Sequence, residues 1–523
     1  MHVSRVGAPL TTMMAKLLAY LLLLTVAALT QAAFFYPDAV SSEIEHILVD
    51  THGAYASGFA DAITPCSNYV SGAQTFGRET AAQWLRVAFH DFVTARVDKG
   101  TGGIDASIGF ETLREEDSGS AFNDSFAFFR PYVNARVSMA DIVALSVSMS
   151  VGNCGGPQIP VRGGRIDATG MGEEGVPAPE TSLEQTLEFF ANAGFNQVDS
   201  IGLTACGHTM GSVHHGGFPT VVGPEAVNSS NTAGGIHFDG TVDVFDMKVV
   251  HEYIDGTGNQ GGPLVTSFNE SSRSDLRLYE SDGNATMHQL YEQEESFLNT
   301  CVPLMQRMVE TVPKEVVLSN IISPMAIKPV NATFDFTSDG SLIFKGYIRV
   351  LAPVSSTPPK TITLNPSSHP TITLSAESAT GTNVFGTTAF FPFSIPVGNP
   401  SSLQSFTITS SSVTSKFTIP YSSTFVVPTL SSSSSSSSTK VNVTIAQQPS
   451  YSTPKVSIKA PIPQQGTLGP AIGSYDISNL KSIGTKAGLK LWEGSVDLGV
   501  LATGSVGVEV LDSKGAVLDL LFL

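Results

Sequence analysis

The sequence predicts a mainly helical first part, from about residue 33 to about residue 315, followed by an all-β, sandwich-like second part. Apolar residues recur at helical spacing before Pro313. After Pro313, Ser, Thr, Pro and β-branched residues dominate, in short alternating runs that are typical of sandwich strands. The four cysteines all lie within the first 301 residues, so we expect disulfides in the helical part alone.

Length and charge set the first limits. The chain has 523 residues, which suggests roughly two to four domains. Its formal net charge of −18 argues against nucleic acid and anionic membrane surfaces as partners, because both attract basic patches.

The N-terminus has the pattern of a secretory signal peptide over residues 1–32. Arg5 and Lys16 precede an apolar run from Leu17 to Leu29, and Ala32 ends a small-residue cleavage site. Six N-x-S/T sequons and an even number of cysteines fit a secreted, extracellular glycoprotein without a membrane span after cleavage. Two disulfides are expected among Cys66, Cys154, Cys206 and Cys301, and three pairings stay open.

Within the helical part, residues 33–315, the stretch from Phe76 to Phe92 is helix-periodic. Ser138 is a candidate N-cap for a second helix, and a third is expected from Thr181 to Ala193. Long connections rich in Gly, Pro and Asp follow Cys154 and Gly211. Connections of that length in a compact domain are usually functional or held by a metal or a disulfide.

The second part divides by composition. Residues 316–430 predict a β-sandwich-like domain, and the serine run in 431–439 predicts a flexible loop or linker. Residues 440–523 are again β-rich, and they either complete the preceding domain or form a separate region.

Arg86 and His90 are the first candidate catalytic residues. Positions i and i+4 share one face of a helix, so both side chains are expected to point into one pocket. An imidazole beside a guanidinium suits a reaction that moves a proton while a negative charge departs.

Two acidic segments follow His90 and His208, the two histidines that we expect to line the pocket. Asp91 and the segment from Gly103 to Ser107 follow His90, and the segment from Asp239 to Asp246 follows His208. Carboxylate, hydroxyl and carbonyl oxygens on pliable loops are the ligands that calcium prefers.

Several motifs occur in the order found in one enzyme family: R-x-x-F-H-D, G-G-x-D-x-S, S-x-A-D-I, C-G-G-P, G-R-x-D, V-P-x-P, G-H-T and D-x-T-x-x-x-F-D. Over residues 40–312 the chain resembles the secreted fungal (class II) haem peroxidases of the plant-type superfamily. The resemblance implies two helical halves that sandwich one haem b, two calcium ions, hydrogen peroxide as oxidant, and an unknown reducing substrate for which a phenol is one candidate.

The resemblance also implies residue roles. His90 resembles the distal acid and base, Arg86 the distal arginine, His208 the proximal iron ligand and Asp275 the carboxylate bonded to it. The implied calcium ligands form a distal set, Asp91, Gly103, Asp105 and Ser107, and a proximal set, Thr209, Asp239, Thr241, Val244 (through its carbonyl) and Asp246.

Two departures from the family pattern matter. Asp117 stands where the family usually has an asparagine, and we expect its carboxylate to raise the pKa of the distal histidine. Only Glu79 matches a manganese site, since Gln83 and His214 lie near the other two positions, so we do not predict manganese oxidation. The alternative function is a secreted cell-wall or polysaccharide-binding protein that retains the peroxidase fold with weak or no turnover.

Overall fold

The computed structural model of the protein describes residues 34–69, 77–410, 413–419 and 423–523. The predicted signal peptide lies outside the described residues, as does Phe76, the predicted start of the first helix. In the described parts, helices precede Thr311 and antiparallel strands follow it, which confirms the predicted fold class.

The first part is built from α-helices that pack on one buried apolar cluster. Their bounds are α1 Ala39–Val49, α2 Thr80–Val93, α3 Ile108–Glu111, α4 Ala121–Phe129, α5 Met139–Asn153, α6 Leu183–Asn192, α7 Gln197–Gly207, α8 Lys248–Asp255, α9 Pro263–Thr266, α10 Ser274–Tyr279, α11 Ala285–Tyr291 and α12 Glu294–Glu310. A short ladder, β1 Ser212–His214 and β2 Gly235–His237, lies between α7 and α8.

Helix ends follow the side chains that cap them. The Ser138 hydroxyl accepts the N–H of Asp141 at the start of α5, as predicted. Ser182 accepts the N–H of Gln185 and caps α6, one residue after the predicted start at Thr181. Helix α5 is buried along nearly its whole length and packs against α2. Because α2 carries Arg86 and His90, this packing sets the direction in which both side chains point.

Two disulfides, Cys66–Cys154 and Cys206–Cys301, hold the helical part. The sequence left three pairings open, and the structure selects this one. The second disulfide joins α7 to α12, and α7 ends one residue before His208.

Within its described residues, the second part contains four antiparallel sheets. One pair has the orders β3-β4-β8-β7 and β10-β9-β5-β6, and the other has β11-β13-β17-β16, with β12 on β13, and β15-β14-β18-β19. The strands are β3 Ile327–Phe336, β4 Leu342–Ala352, β5 Thr361–Pro366, β6 Ile372–Ser375, β7 Gly381–Asn383, β8 Gly386–Pro396, β9 Ser405–Ser410, β10 Val413–Thr418, β11 Thr424–Val426, β12 Ser432–Ser435, β13 Thr439–Gln447, β14 Lys455–Pro463, β15 Pro470–Asp476, β16 Lys481–Lys486, β17 Leu489–Asp497, β18 Gly507–Leu511 and β19 Val517–Phe522.

The serine run at 431–439 is not the flexible linker that its composition predicts. Ser432–Ser435 form β12, which pairs with β13 in register from Ser432 opposite Asn442 to Ser435 opposite Thr439. The side chains of β12 are exposed, so backbone hydrogen bonds and not burial hold this edge strand. Strand β11, before the run, already belongs to the sheet of β13, so the run lies inside a sheet and not between two regions.

The N-terminal segment Phe34–Tyr36 is part of the β core. The ring of Phe34 lies 5.0 Å from that of Phe344, and the hydroxyl of Tyr36 donates to the carbonyl of Thr418 at 2.8 Å. Phe35 contacts Phe522 at the other end of the chain, with ring centroids 6.0 Å apart. The two ends of the described chain therefore meet in the second part.

Buried ion pairs join the helical part to the first pair of sheets. Arg349 on β4 contacts Glu45 at 2.7 Å and Asp50 at 3.3 Å, and Lys328 on β3 contacts Glu45 at 2.7 Å. All four side chains are at most 1% exposed, so the interface carries charges that balance each other across it.

Candidate active site

Arg86 and His90 lie on one face of α2 and both line the same cavity, as the i, i+4 spacing predicts. The Arg86 guanidinium donates to the carbonyls of Glu116 at 2.8 Å and Ser118 at 3.0 Å. Its central carbon lies 4.8 Å from the ring centre of Phe122. The side chain is therefore fixed by directional bonds before any ligand arrives.

His90 is bonded to Asp117, with 2.6 Å between Nδ1 of the imidazole and Oδ1 of the carboxylate. This bond places the hydrogen on Nδ1 and leaves Nε2 to act as a proton acceptor. Burial, with a smaller contribution from Arg86, lowers the pKa of His90 well below its ordinary value. The expectation that Asp117, in place of an asparagine, raises the pKa of His90 concerns the difference between a carboxylate and an amide, and it stays a prediction.

On the opposite side, His208 follows the end of α7 and is bonded to Asp275 of α10, with 2.6 Å between Nδ1 and Oδ2. The imidazole is stacked on Phe238, with ring centroids 4.3 Å apart and an interplanar angle of 9°. The carboxylate and the stacked ring together fix the orientation of the imidazole, which leaves Nε2 as its free ligating atom.

His90 and His208 both line one cavity of about 300 Å³. Arg86, Phe89 and His90 of α2 line it, as do Leu203 and Gly207 of α7 and the following His208. Helices α10 and α12 contribute Leu278 and Met308. The largely apolar lining of this cavity, with an imidazole whose Nε2 is free, fits a flat macrocycle whose metal takes a nitrogen ligand, and the resemblance assigns that ligand to His208.

The distal calcium set is gathered around Asp91. Its carboxylate accepts the N–H groups of Asp105, Ala106 and Ile108 at 2.8–3.1 Å, and Ser107 Oγ lies 3.4 Å away. Burial, and repulsion by Asp105, raise the pKa of Asp91 well above its usual value. A divalent cation would offset both effects, which fits the predicted ligand set.

The proximal set is gathered in the same way. Thr209 Oγ1 donates to the carbonyl of Asp246 at 2.6 Å and lies 3.4 Å from Asp239, while Thr241 Oγ1 lies 3.1 Å from Asp246 Oδ1. Each set contains two carboxylates. Among the described residues no group of three or more His, Cys, Asp or Glu side chains is placed to hold a metal, so hydroxyl and carbonyl oxygens would have to supply the remaining ligands.

Some neighbours of the site were not predicted as site residues. Phe122 lies 5.1 Å from the His90 ring, and Phe218 lies 5.4 Å from the Arg86 guanidinium carbon. The four phenylalanines between residues 122 and 129 were the only signal for Phe122. Asp141 and Arg165 form a buried ion pair at 3.0 Å, and Arg165 also donates to the carbonyl of Val309 on α12.

Comparisons with known proteins also indicate a peroxidase domain in the first part of the chain. The peroxidase family model matches residues 67–294. A WSC domain-containing protein of Arthroderma benhamiae is 40% identical over 313 residues, which are 59% of this chain and 42% of that protein. Putative L-ascorbate peroxidase 6 of Arabidopsis thaliana is 38% identical over 145 residues, covering 27% of this chain and 44% of that protein. Peroxidase 16 of the same plant is 34% identical over 162 residues, covering 28% and 47%. The chain spans less than half the length of each of these relatives.

Proposed function

From the premise that residues 67–294 form a domain of the peroxidase family, we propose that this chain is a secreted haem peroxidase. It would reduce hydrogen peroxide with His90 and Arg86 and oxidise donor substrates one electron at a time. The observation that carries the proposal is the cavity with a carboxylate-bonded imidazole on each side and a fixed guanidinium beside one of them.

His208 would hold the haem iron, with Asp275 behind it, and the two oxygen-rich loops would hold calcium. When bound, haem iron supplies the position at which peroxide binds and the electrons that reduce it. Asp275 strengthens His208 as a donor, because an anion bonded to Nδ1 raises the electron density on the ring.

The proton steps belong to His90. Its lowered pKa keeps the imidazole neutral at working pH, so Nε2 takes a proton from the oxygen of peroxide nearest to it and returns it to the departing oxygen. Arg86 stabilises the negative charge that develops on the departing oxygen. The backbone carbonyls that hold Arg86 keep it in place for this step.

Stopped-flow absorption spectroscopy of the purified protein with stoichiometric peroxide tests the proposal. We expect a haem spectrum that changes on mixing with peroxide and recovers when a one-electron donor such as a phenol is added. His90→Ala should keep haem bound but slow the reaction with peroxide by a factor on the order of 10²–10⁴. Unchanged turnover in His90→Ala would show that the distal assignment is wrong.

The alternative is a secreted wall- or polysaccharide-binding protein without significant turnover. The same measurement separates the two functions, since such a protein would bind haem and remain inert to peroxide. Intact Arg86, His90, His208 and Asp275 favour the enzyme, because a site released from catalysis has no need of all four.

Within the described part of the chain, no helix is both long and apolar enough to cross a membrane.

A further inference from the structure

The last pair of sheets contacts the helical part beside the candidate active site. Two loops make the contact: residues 464–469, between β14 and β15, and residues 498–506, between β17 and β18. In the first loop, the N–H of Leu468 donates to the carbonyl of Gly109 at 2.9 Å. The partly buried Leu468 side chain packs against the apolar cluster of the helices, so this loop is anchored on the helical part.

Gly109 marks how closely the first loop approaches α4. A Cβ at Gly109 would lie 2.8 Å from Oγ1 of Thr467 and 3.0 Å from Cε1 of Phe126. These distances leave room for a hydrogen and for no side chain. The backbone of Gly109, which belongs to α3, therefore lies close both to the loop and to Phe126 of α4.

The second loop meets the chain where α4 ends. A Cβ at Gly504 would lie 2.6 Å from the carbonyl oxygen of Val133 and 2.8 Å from that of Pro131. Just beyond these residues, Arg136 forms an ion pair with Glu509 of β18 at 2.6 Å. The same pair of sheets therefore contacts α4 at Phe126 and the chain just after its C-terminal end.

Helix α4 connects these contacts to the active site. Phe122 and Phe126 are four residues apart, so they lie on one face of α4, and both are fully buried. Phe122 is the residue whose ring lies 5.1 Å from that of His90 and 4.8 Å from the Arg86 guanidinium carbon. A shift of α4 would therefore move a side chain that contacts both candidate catalytic residues.

We propose that the last pair of sheets acts as a positioning element of the active site, in which the loops 464–469 and 498–506 hold α4 and thereby hold Phe122 against His90 and Arg86. The inference that the two loops hold α4 in place rests on these contacts and does not depend on the proposed function. The effect of this positioning on the reaction with peroxide rests on the proposed function.

A pair of glycine substitutions in the full chain tests the proposal. Gly504→Ala inserts a methyl group against backbone carbonyls that cannot yield without moving the end of α4. Gly507→Ala is the matched control, because its Cβ would lie 3.4 Å from the nearest atom, in the same interface. Hydrogen exchange over residues 118–129 is measured first, since it needs neither haem nor turnover. The rate of reaction with peroxide is measured second.

We expect Gly504→Ala to speed exchange in residues 118–129 and to slow the reaction with peroxide on the order of tenfold, while Gly507→Ala changes neither. Equal exchange in the two variants would overturn the proposal, and so would faster exchange in Gly504→Ala with an unchanged peroxide rate. If Gly504→Ala does not fold, Leu468→Ala removes the apolar side-chain contact of the first loop without a clash, and Leu501→Ala, at an exposed leucine, is its control. An inactive wild-type protein would overturn the proposed function, whereas the exchange comparison would still decide whether the loops hold α4.

Discussion

Among single residues, Asp117 is the group whose ionisation bears most directly on His90. Burial raises the pKa of Asp117 to about 6, against the lowering effect of Arg86 and Arg114. Below that pH the carboxyl is neutral and accepts the Nδ1 hydrogen much as the amide of asparagine would. Above it, the carboxylate strengthens this bond and makes Nε2 a better base.

We therefore expect the rate of reaction with peroxide to rise as the pH increases through about 6, and Asp117→Asn to lose this step. Above pH 6 the variant should be slower than the wild-type protein, and below it the two should converge. Stopped-flow rates between pH 4.5 and 8 would check this. The same rise in Asp117→Asn would assign the ionisation to another group.

On the other side of the cavity, Asp275→Asn should weaken His208 as a donor while keeping a hydrogen-bond partner for Nδ1. We expect the reaction with peroxide to slow about 10- to 100-fold and the reduction potential of the bound haem to rise, because the anion behind the ligand is lost. Spectroelectrochemistry reports the potential independently of turnover. An unchanged potential would show that Asp275 only orients the ring.

At the scale of elements, the proximal loop gives a prediction about calcium. If Thr209, Asp239, Thr241, Val244 and Asp246 bind the ion, calcium at a hundred times its Kd should add about 2.7 kcal/mol to the free energy of unfolding for that site. Calorimetry with calcium and with a chelator measures this as a rise in Tm. Asp239→Asn should show a smaller rise, and Asp243→Asn, an exposed acid in the same loop, should behave like the wild-type protein.

Elements with a short sequence period were predictable, and those that depend on distant partners were not. The spacing of Arg86 and His90 was enough to place both on one face of α2, because a helix needs only local information. The pairing of Cys66 with Cys154 was not predictable, since it depends on how helices far apart in sequence pack. The strand Ser432–Ser435 was missed because its composition favours a loop, whereas its hydrogen bonds to β13 come from the fold. The roles of His90, His208 and the calcium ligands remain predictions.

At the scale of the whole molecule, Arg349 forms two of the buried ion pairs that join the helical part to the sheets. Arg349→Met would leave Glu45 and Asp50 buried with less compensating charge. We expect a loss of about 3–5 kcal/mol in the free energy of unfolding, measured by urea denaturation. Lys440→Met removes one partner of an exposed pair with Asp497 and should lower the free energy of unfolding much less. Equal losses would show that the buried pairs contribute no more than surface ones.

The place of Phe34–Tyr36 has a consequence for the order of events during synthesis. Tyr36 donates to Thr418, a partner 382 residues later in the chain. At a ribosomal rate of about 5–20 residues per second, that partner emerges roughly 20–80 s after Tyr36 does. Throughout this interval the hydroxyl of Tyr36 lacks its partner in the fold. The helices can form early, but Tyr36 reaches its final position only after the strands up to Thr418 have been made.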